Sequence, residues 1–161
     1  MRSKTGRLAA DGLLASVLFA AQIALIHLPN IEVVSILVIL YTLTFGRRVL
    51  NILATFTILE GLFHGFGIWL VSYLYIWPIL AGLTALLKRQ GAPDWGYGIL
   101  CCLFGFSFGF LCSLPYLAGG IGALFAWWIS GIPFDVIHGI SNLIIGLTLF
   151  KPVKRVLERC R

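Results

Sequence analysis

Charge is what this 161-residue chain has least of: 11% of its residues are Asp, Glu, Lys or Arg, against 60% hydrophobic, and its mean hydropathy is +0.99. A soluble domain is about a quarter charged, so this chain cannot clothe a water-facing surface, and a soluble enzyme is excluded. The chain has no GxxxxGK[ST], which excludes a P-loop ATPase. It also lacks HExxH, and no Ser, His and Asp stand at a spacing that marks a triad. Acidic residues number six against twelve basic ones, a formal charge of +6. In a chain this apolar, basic residues mark the cytoplasmic side of a membrane rather than a nucleic-acid partner. The four cysteines, Cys101, Cys102, Cys112 and Cys160, fit no disulfide framework or CxxC metal pair. Three of them read as small filler in an apolar helix.

What abounds is Leu, Ile, Val and Phe, which excludes disorder. A spanning helix takes about 20 apolar residues, so the length admits at most six or seven spans and no soluble catalytic domain. Apolar runs and their breakers predict six, over residues 8–28, 31–45, 49–63, 68–87, 95–114 and 132–150. The first run is a full span with no small-residue cleavage site after it, so a signal peptide is not expected. With no internal repeat, residues 1–161 read as one domain, an all-α six-helix transmembrane bundle.

Arg2, Lys4 and Arg7 precede the first span, and Arg47 and Arg48 separate the second from the third. Lys88 and Arg89 separate the fourth from the fifth, and Lys151, Lys154, Arg155, Arg159 and Arg161 follow the sixth. All twelve fall on one side, so the positive-inside rule predicts cytoplasmic termini. Residues 115–130 are apolar enough for a seventh span, but a crossing there would put the basic tail outside. They are therefore expected to form a long outer connection, re-entrant or lid-like, bending at Gly119, Gly120 and Gly122. Trp127 and Trp128 suit the roof of a pocket or a plain interface anchor.

Ionisable residues inside spans are costly and point to function. Glu32 opens the second span at its outer end; Glu60 lies late in the third, with His64 four residues on and so on the same face. Asp135, His138 and Asn142, spaced three and four apart, form one stripe on the outer half of the sixth. His27 and Asn30 end the first span on that side, and Trp69, Tyr73 and Trp77 begin the fourth at intervals of four. Such a gathering offers apolar walls, stacking surfaces and a few polar groups to a small polar or heteroaromatic ligand. Plainer roles compete. Glu32 and Asp135 each fall in a first helical turn, where a carboxylate complements the dipole, and His138 and Asn142 can tie helices together. A metal site from His64, His138 and a carboxylate has only scattered ligands, so neither metal nor cofactor is expected. On the first span Gly12, Ser16, Ala20 and Ala24 line one face, suiting close approach of another helix, from the same bundle or from a partner.

The Ala20–Ala24 AxxxA stripe, with the stretches LPNIEVVSILVILYTLTFGRRVL, EGLFHGFGIWLVSYLYIWPILA and GIPFDVIHGISNLIIGLTLFKPV, resembles the substrate-binding S components of energy-coupling factor (ECF) vitamin transporters. The resemblance implies a prokaryotic plasma-membrane protein that captures a B-type vitamin or related micronutrient at its outer face. It implies docking, through Ser16, Ala20 and Ala24, on a transmembrane coupling subunit driven by two cytoplasmic ATPases. The outer loops would line or cover the ligand, and Met1-Arg2 in place of an N-terminal Met-His speaks against nickel or cobalt. On this reading Glu32, Glu60, His64, Trp69, Tyr73, Trp77, Trp127, Asp135, His138 and Asn142 are candidate substrate contacts, and the chain performs no chemistry itself. The alternative is a small membrane hydrolase or transferase using Glu60, His64, Asp135 and His138; a lone channel or proton-linked carrier is a third.

Overall fold

The structure, a computed structural model, describes residues 4–159. Among them there is no strand. The α-helices are α1 (Lys4–Ala24), α2 (Val34–Phe45), α3 (Val49–His64), α4 (Ile68–Arg89), α5 (Asp94–Ser113) and α6 (Ile121–Arg159), with 3-10 turns at Gly46–Arg48 and Leu114–Gly119. Counting the run from Val34 to His64 as one, five helices are long and apolar enough to cross a membrane. They are apolar outside as well as inside: Leu13, Leu62 and Leu74 are each about two-thirds exposed. A helix apolar all round belongs in a lipid or protein interior, and this chain suggests a membrane protein.

Contacts at the two ends give the helix directions. Arg48 at the start of α3 bonds to Asp11 and to the Arg7 carbonyl near the start of α1, while Phe19 meets Phe63 at their far ends; α1 and α3 run in parallel. Lys88 late in α4 donates to the Leu43 carbonyl late in α2, so α2 and α4 are parallel too. The chain reverses between α2 and α3 at Gly46, whose φ of 59° suits glycine. α5 runs against α4, with the Tyr75 hydroxyl donating to the Leu111 carbonyl, and α6 runs back along α5, where Lys154 pairs with Asp94. α2 lies most deeply, with Val34, Ser35, Ile36, Val38, Ile39, Leu40, Tyr41 and Thr42 all buried.

The closest packing joins α5 to α6 through glycines. A Cβ on Gly105 would lie 2.8 Å from the His138 carbonyl and the Gly139 nitrogen, and one on Gly146 would lie 2.9 Å from the Gly98 Cα. Backbone cannot yield as a side chain can, so these positions admit no larger residue without parting the helices. Small residues thus set the approach of two helices, on a pair for which residue spacing raised no such expectation.

Four expectations are corrected. The sixth span is far longer than 132–150: α6 has 39 residues, about 58 Å at the helical rise, roughly twice a hydrocarbon core. The stretch 115–130 is accordingly no long loop. It is a 3-10 turn ending at Gly120, at a φ of 97°, followed by the opening turns of α6. Asp135 therefore sits well inside a helix, and the first-turn role expected for it does not hold. The first span ends at Ala24 rather than at 28, and the residues after it fold into successive tight turns.

Candidate functional site

At the end of the bundle opposite the basic residues, a cavity of about 310 Å³ opens between the helices. Its rim is the connection after α1, from Leu25 to Glu32. Its walls are Gln22 of α1, His64 of α3, Tyr73 and Trp77 of α4, Phe108 of α5 and His138 of α6. The rim is held in place: Asn30 takes a φ of 56°, a conformation Asn tolerates better than most residues, and its carbonyl accepts from the Ser141 hydroxyl of α6 at 3.2 Å.

Glu32 ties the start of α2 to α6. One carboxylate oxygen accepts the Ser35 N–H at 2.8 Å, closing the start of α2, and the other lies 3.0 Å from His138 Nε2. Burial pushes this carboxyl up, but the hydrogen bond and charge of His138, with the bonding of Ser35, outweigh that and hold it below its ordinary value. Glu60 is fully buried one layer behind the wall. Gln22 Nε2 donates to its Oε2 and to the Tyr73 hydroxyl, at 3.0 Å each, and His64 Nε2 lies 3.5 Å from the same carboxylate oxygen.

The α4 aromatics form the expected ladder, edge to face: Trp69 to Tyr73 at 5.3 Å and Tyr73 to Trp77 at 5.5 Å between centroids. Trp69 stands at the outer step, against His64, and only Tyr73 and Trp77 line the cavity. Phe108 closes the far wall, 5.9 Å from Trp77 and 4.9 Å from the His138 ring. Three buried polar atoms here have no partner among the described residues: Trp77 Nε1, His138 Nδ1 and Glu60 Oε1. A buried polar group without a hydrogen bond costs about 1–3 kcal/mol.

The α6 stripe divides. His138 reaches the cavity. Asp135 accepts the Gly109 N–H at 2.8 Å and lines a second cavity of about 290 Å³, with Trp127, behind Phe108 and Asn30. Trp127 is stacked on Tyr116 at 4.2 Å, and Trp128 lies against Phe110 and Phe125. Asn142 is fully buried below both cavities, its amide 3.4 Å from the Cys101 carbonyl. No three His, Cys, Asp or Glu side chains among the described residues gather as a metal would need.

Comparison of the chain with protein-family models, with curated proteins and with solved structures gave no match. The site stands on its own geometry.

Of the stripe on α1, Ser16, Ala20 and Ala24 are exposed and Gly12 is half-buried. A Cβ on Gly12 would meet nothing within 4 Å, whereas α1 turns Asp11, Ala15 and Leu18 to the bundle. The stripe does not pack inside this chain. Sequence reasoning missed four cavity residues, Gln22, Leu25, Ile26 and Phe108. Gln22 had a signal, as the lone amide of the first span; Phe108, one of twelve phenylalanines, had none.

Proposed function

We propose that this chain is the membrane-embedded binding subunit of an ECF-type importer, crossing the prokaryotic plasma membrane six times with both ends in the cytoplasm. It takes a B-type vitamin or related micronutrient from outside, and partner subunits supply the ATP hydrolysis. One observation carries the reading: a ligand-sized cavity with aromatic walls and unpartnered buried polar atoms, at the end of the bundle away from the basic residues. Pockets that bind small molecules have this make-up, mostly apolar with a few placed polar groups. The resemblance of the sequence to S components supports the same reading. So does the outward-facing stripe of Ser16, Ala20 and Ala24, which offers a transmembrane coupling subunit a close helix contact.

The test is purification from the native membrane in mild detergent, with mass spectrometry of what comes along. The expected result is a retained small molecule together with a coupling subunit and its two ATPases. Ala20→Trp should then abolish uptake while leaving ligand binding to the isolated chain intact. Loss of both together would place the stripe in folding rather than in docking, and a chain that carries neither ligand nor partners would end the proposal.

A further inference from the structure

The charge around the cavity is one-sided. Among the described residues, no lysine or arginine lines it. Two carboxylates serve it, Glu32 on the rim and Glu60 behind Gln22, and Glu60 Oε1 is buried with no partner among the described residues. The two histidines are no substitute for a free cation, because each already faces a carboxylate: His138 at 3.0 Å from Glu32 and His64 at 3.5 Å from Glu60. A carboxylate or phosphate entering here would meet like charge with no uncommitted counter-ion, and a buried charge without a partner is strongly disfavoured.

A positive charge would meet the opposite. Tyr73, Trp77 and Phe108 present three aromatic rings from two helices, and cations are drawn to such faces, to Trp most of all. The same walls also ask for an acceptor. Trp77 Nε1–H has no partner, and Tyr73 takes its bond from Gln22 as an acceptor, which leaves its own hydrogen to donate. A bare alkylammonium would leave these donors unmet; a ring carrying both a positive charge and a nitrogen or carbonyl acceptor would satisfy both sides. A cavity of about 310 Å³ suits one or two rings.

We propose that this cavity selects a positively charged heteroaromatic molecule and rejects carboxylates and phosphates. The proposal rests on the binding-subunit reading and narrows its substrate class. It is tested by titrating the detergent-purified, dialysed chain with probes that differ in charge on one scaffold: 1-methylnicotinamide (a pyridinium cation), nicotinamide and nicotinate, then thiamine against thiamine monophosphate. The cation of at least one set should bind, and should do so tenfold or more tighter than its acidic counterpart. Glu32→Gln should weaken that cation tenfold or more and shrink the discrimination. Trp77→Phe, which keeps the ring and removes the donor, should weaken it even if Glu32→Gln fails to fold, and Lys154→Ala at the basic end should change nothing. An acid that binds as tightly as its cation overturns the proposal, as does the absence of binding by every cation. The molecule retained on purification separates the two failures. A retained carboxylate or phosphate refutes the charge rule and leaves the binding reading standing; no retained molecule and no co-purifying coupling subunit refute the reading itself.

Discussion

Carboxylates at the two ends of this bundle keep different company. At the basic end Asp94 pairs with Lys154, both about a third exposed, and Asp11 pairs with Arg48. At the cavity end Glu32, Glu60 and Asp135 have no lysine or arginine among the described residues; their partners are histidines, the Gln22 amide and the N–H groups of Ser35 and Gly109. The difference is one of purpose. A carboxylate beside a fixed cation is finished, whereas one held by neutral donors and histidines keeps capacity for another partner. Exposed ion pairs contribute little, about 0–1 kcal/mol, while a half-satisfied buried group is expensive and is retained where a site needs it.

The largest expected effect comes from the seam that holds the cavity wall. Gly105→Val would drive its side chain into the His138–Gly139 backbone, and overpacking of this kind costs about 1–3 kcal/mol or more. Thermal melting in detergent should show it, against a nearly unchanged Gly12→Val, whose Cβ meets open space. If Gly12→Val destabilised the isolated chain as much, α1 would pack more tightly than the structure has it.

Next is His138→Ala, which leaves Glu32 buried against the cavity without its histidine; a loss of about 1–3 kcal/mol in stability is expected. The acid titration of the same pair sharpens the comparison. The folded state holds the Glu32 carboxyl below its ordinary 4.5, so its contribution is complete above that pH and is lost as pH falls through the lowered value. Melting temperatures recorded downward from pH 6 should therefore fall more steeply for the wild type than for Glu32→Gln. The smallest effect belongs to the basic end. Lys154→Ala should cost under about 1 kcal/mol, and added salt should erase most of that difference. A large, salt-independent loss would break the contrast between the ends.

Residue type and periodicity made much of this legible. The intervals of Trp69, Tyr73 and Trp77, and of Glu60 and His64, follow from helix geometry, and the structure realises both. Two features escaped for physical reasons. The α5–α6 seam depends on glycines of two helices meeting across space, and neither helix alone reveals which of its glycines face the other. The reach of α6 was obscured because Pro133 and the glycines before it read as breakers, yet a proline inside a long packed helix is tolerated where neighbours hold the chain. Within the site, Asp135, His138 and Asn142, read from their spacing as one stripe of the sixth span, are all buried. Which of the three reaches the cavity depends on depth and on Phe108, and spacing carries neither.

The central claim is that the cavity end faces outward and the basic end inward. In a variant with its four cysteines replaced, single cysteines are placed at exposed positions of the two ends, Phe66→Cys and Arg47→Cys, and intact cells are treated with a membrane-impermeant thiol reagent. The account predicts that Phe66→Cys is labelled in intact cells and Arg47→Cys only after the membrane is opened; labelling of both from the same side, or in the reverse order, would contradict it.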